Sequence, residues 1–282
     1  MRILDGKSVK LQILNELRDE VSKLSNRPKL VVVQVGNNEA SNVYIKQKSN
    51  MASYIGYDFE HIKLDNDVTT ENVLELIDKL NNDDSVNGIL VQLPLPELID
   101  ENIVVNSISP LKDVDGLTDI NNGMLFHGKD TLYSCTPYGI MELLNRYNIN
   151  VSGANVVIVG RSDLVGKPMS VMMLNEDATV TVCHSKTKNL KEFTRNADIL
   201  VVAVGIPNFI TYDMVSEGTV VIDVGISRTA EGLCGDVDYV NVADKCSYIT
   251  PVPGGVGPMT VAMLAKNVTK AYKLQKKNRN QM

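Results

Sequence analysis

The sequence is poor in the features that mark several protein classes. Uninterrupted apolar runs stop after a handful of residues, as Ile199 to Val204 does, far short of the ~20 needed to span a bilayer. No transmembrane helix is expected, and a membrane is not an expected partner. The amino terminus meets Asp5 and Gly6 before a signal-peptide core can form, so a cytoplasmic location is the expectation. Cys135, Cys183, Cys234 and Cys246 show no C-x-x-C spacing, and His61, His127 and His184 are the only histidines. That scarcity argues against a zinc site and against a disulfide framework, and it fits reduced thiols in a reducing compartment. A basic excess is missing too. The formal net charge is -6 and the pI is near 5.2, and Lys and Arg are spread along the chain up to a basic carboxy-terminal tail. Nucleic acid is not expected as a partner, because phosphate binding leaves a basic footprint.

What is present describes a folded globular chain. With 282 residues, 44% of them hydrophobic and 22% charged, the sequence accommodates two domains of roughly 150 residues and is too apolar for disorder. Leu14, Leu17, Val21 and Leu24 fall at helical spacing, and the run Leu30 to Val35 follows as a strand. Residues 40 to 55 return to helical spacing, Phe59 to Leu64 reads as a strand, and Val73, Leu76, Ile77 and Leu80 mark another helix. Ile89 to Leu93 closes this stretch as a strand. Near-continuous apolar strands alternating with helices predict a parallel sheet covered on both faces. After a turn-rich stretch from Asp113 to Lys129 and a helix over 137 to 147, the alternation restarts at Val156 to Gly160. It continues with strands at Thr179 to Cys183, Ile199 to Val204 and Val220 to Val224. The fold class is therefore α/β, with two α/β domains, the second Rossmann-like with a parallel sheet. Pro251 to Pro258 is too rich in proline and glycine for a helix. Thr260 to Lys273 reads as a last helix that can return to the first domain, and the polar stretch Lys276 to Met282 is expected to fray.

Four places carry candidate chemistry. The strand Val156 to Val159 ends in Gly160, followed by Arg161-Ser162-Asp163-Leu164-Val165-Gly166 and a helix. A glycine there lets backbone amides approach a pyrophosphate, and the helix directs its positive end at that anion. Ser162 stands where G-x-G-x-x-G has its second glycine, so the motif alone also describes an ordinary βα turn. The next strand ends in His184-Ser185-Lys186-Thr187-Lys188, without the acid that holds the ribose of NAD. Together with Arg161, these donors favour the 2′-phosphate of NADP. The second place is Tyr44 and Lys48, four apart on one helix face with Met51, Ala52 and Ile55. An ammonium in an apolar stripe either snorkels to water or is enclosed, in which case burial moves it toward proton transfer near neutrality. Gln92, inside an apolar strand, is the third. Gln34 occupies its own strand in the same way, and the pattern does not say which amide is functional. The fourth is Asp113-Val114-Asp115-Gly116, which reads as a turn or as a carboxylate that accepts two parallel hydrogen bonds from a ligand edge.

Taken together, these motifs resemble the bifunctional methylenetetrahydrofolate dehydrogenase/methenyltetrahydrofolate cyclohydrolase family over nearly the whole chain. The resemblance rests on Tyr44-Ile45-Lys46-Gln47-Lys48, Val91-Gln92-Leu93-Pro94-Leu95-Pro96, Asp113 to Gly116, Cys135-Thr136-Pro137, Gly160-Arg161-Ser162 through Met169, and Pro251 to Pro258, in that order. It implies NADP-dependent oxidation of 5,10-methylenetetrahydrofolate and hydrolysis of the methenyl product to 10-formyltetrahydrofolate, in one-carbon metabolism. On that pattern Lys48 is the acid/base of the hydrolysis, Tyr44 and Gln92 position the substrate and tune Lys48, and Asp115 holds the pterin. Val91, Leu93 and the segment Pro253, Gly254, Gly255, Val256 and Gly257 complete the folate site. Gly160, Arg161, Ser162, Ser185 and Ile226 contact the cofactor. The resemblance also implies a catalytic folate-binding domain of residues 1–136, completed by a carboxy-terminal helix 259–282, and a Rossmann-like NADP-binding domain of 137–258. It implies a cleft between the two and a homodimer formed through the Rossmann domain. The competing readings are another two-domain NADP dehydrogenase, such as a shikimate dehydrogenase, and a non-catalytic sensor of cofactor or folate.

Overall fold

The computed structural model describes residues 1–230 and 232–279. In chain order, β1 (Arg2–Ile3) and α1 (Gly6–Val21) come first. Next alternate β2 (Lys29–Val35), α2 (Glu39–Ile55), β3 (Asp58–Leu64), α3 (Thr70–Asn82) and β4 (Gly88–Val91), followed by α4 (Glu101–Asn106), α5 (Asp119–Phe126) and α6 (Cys135–Arg146). A second alternation runs through β5 (Asn155–Val159), α7 (Gly166–Asn175), β6 (Thr179–Cys183), α8 (Leu190–Thr194), β7 (Ile199–Val202) and β8 (Val220–Asp223). A short hairpin of β9 (Ser227–Thr229) and β10 (Gly232–Cys234), then α9 (Tyr239–Val242), β11 (Tyr248–Ile249) and α10 (Val256–Arg279), complete it. These elements divide into two compact units, Gln12–Tyr133 with Val261–Met282, and Met1–Leu11 with Ser134–Thr260. No described helix is long and apolar enough to cross a membrane.

The unit containing residues 12–133 is built on a parallel three-stranded sheet in the order β3-β2-β4. The central strand β2 is buried along nearly its whole length, which is why its sequence is a continuous apolar run, whereas edge strand β3 is partly exposed. Helix α3 starts at a capping box between Thr69 and Asn72 and buries Val73, Ile77 and Leu80, a 3.6-residue stripe, against Val31, Val33 and Ile89. Its carboxyl end is closed by an unusual cap. The Nζ of buried Lys112 donates to the carbonyls of Leu80, Asn81 and Asp83 at 2.9, 2.8 and 2.7 Å. An ammonium at the negative end of a helix is stabilised by the helix dipole and by the orphan carbonyls it satisfies. Burial lowers the Lys112 pKa, opposed by Asp83 and Asp84. The segment that follows Lys112 is also fixed from α10. Asn267 Nδ2 donates to the carbonyls of Val114 and Tyr133 at 2.9 and 2.8 Å, and Gln275 Nε2 donates to those of Asn87 and Leu111.

The other unit is a six-stranded, all-parallel sheet in the order β1-β11-β8-β7-β5-β6. Val157, Val159, Leu200, Val202 and Val221 form its core with Val237, Val242 and Ile249. The chain leaves β5 for β6 on one side and returns to β7 on the other, so the carboxyl ends of β5 and β7 flank a topological switch point. Open α/β sheets bind their ligands there.

Four expectations need correction. The turn-rich stretch contains α5, capped by Thr118, whose side chain accepts from the Asn121 N–H; eight residues without a clear stripe give little periodic signal. The last helix begins at Val256, inside the proline- and glycine-rich segment, because the first turn of a helix needs no N–H from Pro258. It also continues through Arg279 where fraying is expected, and residues 280–282 of that tail lie outside the described residues. Finally, Leu24 sits in a turn just beyond α1.

Candidate functional site

In the first-described unit the structure joins two of the sequence candidates directly. Lys48 Nζ donates to Gln92 Oε1 at 2.8 Å, and Gln92 Nε2 donates to the Leu93 carbonyl at 2.7 Å. Local structure explains the meeting. Helix α2, capped by Asn38, presents Lys48 half-buried, and Gln92 leaves the carboxyl end of β4 with its own N–H held by the Val33 carbonyl at 2.8 Å. The amide therefore has both ends engaged, one of them on an amine. Gln34, its look-alike, is buried within a different set. Its Nε2 donates to Asn42 Oδ1 and its Oε1 meets His61 Nε2, each at 2.9 Å. Burial and the neighbouring Lys63 lower the His61 pKa, so a neutral ring that donates to Gln34 is favoured. Gln34 is a satisfied core amide, and Gln92 is the one that touches a chemically useful group.

The acidic motif divides its labour between two carboxylates. Asp113 is buried, its Oδ1 accepting from the N–H groups of Gly116 and Leu117 and its Oδ2 from Thr118 N–H and Asn121 Nδ2. It holds the turn. Asp115 is half-buried. Asp113 bridges to Ile89 in parallel fashion, which sends the chain, and Asp115 with it, toward the carboxyl end of β4 where Gln92 stands. Tyr44, one helical turn before Lys48, is 49% exposed. Val91 is buried in the core and Leu93 is half-buried against it.

The other unit gathers the remaining candidates at the carboxyl end of its sheet. Gly160 ends β5 at φ +125°, and a β-carbon there would lie 2.3 Å from the Ala203 carbonyl oxygen; a β-carbon at Gly166, the first residue of α7, would lie 2.2 Å from the Gly160 oxygen. Only glycines permit this close approach of helix to strand. Ser162 Oγ accepts from the Val165 N–H and the Ser162 carbonyl accepts from Lys167 N–H, shaping the loop, while Arg161 is exposed beside it. After β6, Thr187 Oγ1 accepts from the His184 N–H and His184 Nδ1 accepts from Lys186 N–H, leaving Ser185, Lys186 and Lys188 exposed. No acidic side chain lies between His184 and Lys188. The cradle fits a dinucleotide, and its donors fit one that carries an extra phosphate. After β8, Ile226 is 51% exposed, and its Cδ1 lies 3.3 Å from where a β-carbon on Gly257 would stand. The structure thus brings a cofactor candidate against the Pro253–Gly257 segment, in which Pro253 is exposed, Gly254, Gly255 and Val256 are buried, and Gly257 is half-buried.

The model of the tetrahydrofolate dehydrogenase/cyclohydrolase catalytic domain matches residues 4–115, and that of the same family's NAD(P)-binding domain matches residues 134–276. The chain belongs to the tetrahydrofolate dehydrogenase/cyclohydrolase family. Within it, the chain is 52% identical over 275 residues to the "bifunctional protein FolD" of Agathobacter rectalis, covering 96% of this chain and 99% of that one. A crystal structure of the bifunctional methylenetetrahydrofolate dehydrogenase/cyclohydrolase FolD from Campylobacter jejuni superposes with a TM-score of 0.95 at 46% identity, over 97% of this chain and 99% of that one. The Trypanosoma brucei family member complexed with NADP cofactor and inhibitor gives 0.90 at 35% identity, over 96% and 97% of the two chains. One feature of the family's cofactor unit escaped the sequence reading. Asp223 and Asp236 are both buried beside the β7 and β8 ends, and their only sequence signal is a reversed pair of short motifs, Asp-Val-Gly at 223–225 and Gly-Asp-Val at 235–237.

Proposed function

We propose that this protein is an NADP-dependent methylenetetrahydrofolate dehydrogenase and methenyltetrahydrofolate cyclohydrolase. The observation that carries the reading is the 2.8 Å hydrogen bond from Lys48 to Gln92, an amine fixed at a strand end in a chain of this family whose other unit carries a cradle for NADP. When bound, NADP accepts a hydride at its nicotinamide. The protein's own residues bind and orient: Asp115 accepts the two donors of the pterin edge, its N3–H and 2-amino group, in a bidentate arrangement. Tyr44, exposed and on the same helix face as Lys48, offers a ring and a phenol to the folate. Leu93 and Val91 support Gln92 from either side, and Pro253 to Gly257 give the substrate a close backbone surface. Removal of the hydride needs chiefly proximity and leaves a methenyl cation. In the second reaction water attacks that carbon. Lys48 in its amine form takes a proton from the water, the bond from the carbon to N5 breaks as N5 is protonated, and one proton is released overall with 10-formyltetrahydrofolate. Gln92 holds the Lys48 nitrogen throughout.

Gly160, Arg161, Ser162, Ser185 and Ile226 form the NADP site in this reading, with Arg161 and Ser185 placed for the 2′-phosphate. The chain acts in the cytoplasm in one-carbon metabolism, as a homodimer through its dinucleotide-binding unit. The functional division follows 1–136 with the carboxy-terminal helix for folate and 137–258 for NADP. Because both of the family's domains match in order, a shikimate-type dehydrogenase has no remaining support. The test is to supply 5,10-methylenetetrahydrofolate with NADP or NAD and follow reduced nicotinamide and 10-formyltetrahydrofolate together. Both products, formed faster than the spontaneous reactions, are expected with NADP; ligand binding without turnover would return the sensor reading. Lys48→Met is expected to abolish hydrolysis of added methenyltetrahydrofolate while NADP still binds, and hydrolysis at the wild-type rate would remove Lys48 from its role.

A further inference from the structure

Two buried carboxylates and two glycines interlock at the carboxyl edge of the larger sheet. Asp223, the last residue of β8, accepts three backbone N–H groups: Gly225 and Asp236 on Oδ1 at 3.0 and 2.9 Å, and Val237 on Oδ2 at 2.9 Å. Asp236 accepts two more on Oδ2, from Val204 at 2.7 Å and Gly205 at 2.9 Å. A β-carbon on Gly225 would lie 2.1 Å from Asp236 Oδ1, and one on Gly235 would lie 1.9 Å from Asp223 Oδ2. Each carboxylate therefore fills the space that the other segment's glycine leaves empty. This explains why Asp-Val-Gly at 223–225 is answered by Gly-Asp-Val at 235–237. Thr250 adds a brace, its Oγ1 accepting the Asp223 N–H at 2.7 Å.

The arrangement is too expensive to be packing alone. Asp223 and Asp236 are 3% and 0% exposed, and Asp236 Oδ1 has no hydrogen-bond partner among the described residues, although buried carboxylates are strongly disfavoured unless satisfied. Burial, reinforced by the charge of Asp236 and resisted by the three N–H donors, pushes the Asp223 carboxyl up to about 6. A structure that keeps two such groups side by side uses them for placement. What they place are the loop after β7, through Val204 and Gly205, and the loop after β8, through Gly225. Ile226 follows Gly225 directly and reaches Gly257.

We propose that Asp223 and Asp236 are positioning residues for the dehydrogenase reaction, a reciprocal lock that sets the β7 and β8 loops, and with them Ile226, at the cofactor edge. The inference rests on the reading of this unit as the NADP site. Asp223→Asn tests it, because one carboxylate oxygen becomes an NH2 group that must face a backbone N–H. The expected result is a KM for NADP raised by about tenfold or more, the loss of roughly one charge-assisted hydrogen bond. Hydrolysis of supplied methenyltetrahydrofolate, which needs no NADP and uses Lys48, should stay within about twofold of wild type. Gly225→Ala, which drives a methyl group into Asp236 without changing charge, should give the same selective loss and carries the test if Asp223→Asn does not fold. An unchanged KM for NADP in the folded variant, or equal loss of both activities, would overturn the lock. Wild-type enzyme that reduces no NADP would instead overturn the functional reading beneath it.

Discussion

Gln92→Met removes a hydrogen-bond partner of Lys48 while nearly conserving volume, so its consequences can be worked out from the two hydrogen bonds that Gln92 makes. The bond from Lys48 Nζ is 2.8 Å and the bond to the Leu93 carbonyl is 2.7 Å. A hydrogen bond to a charged group contributes about 1.5–3 kcal/mol, and a neutral one about 0.5–1.5 kcal/mol. The first term acts on catalysis, because methionine no longer holds the Lys48 nitrogen at the end of β4. It corresponds to a fall of about 10- to 150-fold in kcat/KM for hydrolysis of methenyltetrahydrofolate. The second term acts on stability, because Gln92 is buried and the Leu93 carbonyl loses its donor; a loss of about 1 kcal/mol is expected, visible as a decrease of a few degrees in Tm. The assay is the decay of the methenyl absorbance at several pH values, corrected for the spontaneous reaction, alongside thermal unfolding. If the variant hydrolyses within about threefold of wild type while its Tm falls as expected, the amide is a structural brace and its assignment to Lys48 is wrong.

Lys112→Met should destabilise the protein by about 3–5 kcal/mol, since three carbonyls at the end of α3 lose a buried ammonium; chemical denaturation checks this, and a change under about 1 kcal/mol would show that the carbonyls find other donors. Asp223 predicts a pH dependence. Its folded pKa of about 6 lies above the ordinary value of 3.8, so the folded state holds this proton more tightly than the unfolded chain. The resulting stabilisation is complete below about pH 3.8 and is lost as pH rises through about 6, a change of about 3 kcal/mol. The stability difference between wild type and Asp223→Asn should fall by about 2–2.5 kcal/mol of it between about pH 4 and pH 7, and a flat difference would contradict the burial argument.

The alternation of strands and helices was legible because buried parallel strands leave unbroken apolar runs, as β2 does. Elements of two or three residues, such as β1 and β11, form only because the sheet is already there to pair with, and no local pattern announces them. The candidate site was legible where a residue contradicted its surroundings: Lys48 in an apolar stripe, and Gln92 in an apolar run whose strand ends one residue earlier, at Val91. Pattern could not separate Gln92 from Gln34, since the difference lies in which neighbour each amide meets across the fold, Lys48 in one case and His61 with Asn42 in the other. Nor could it divide Asp113 from Asp115, because only the fold shows four donors converging on the first. Asp223 and Asp236 were illegible for a related reason. They are thirteen positions apart, and neither helix nor strand periodicity connects them.

The β9–β10 hairpin begins after Gly225 and ends before Gly235, the two glycines against which the carboxylates close. Its two feet are thus anchored independently of the number of residues between them. A clamp of this kind carries its grip at the base, as a rope held in a cleat is fixed where it is gripped and not along its free length. The position of Ile226 is therefore set by the two carboxylates and not by the hairpin that rises between them.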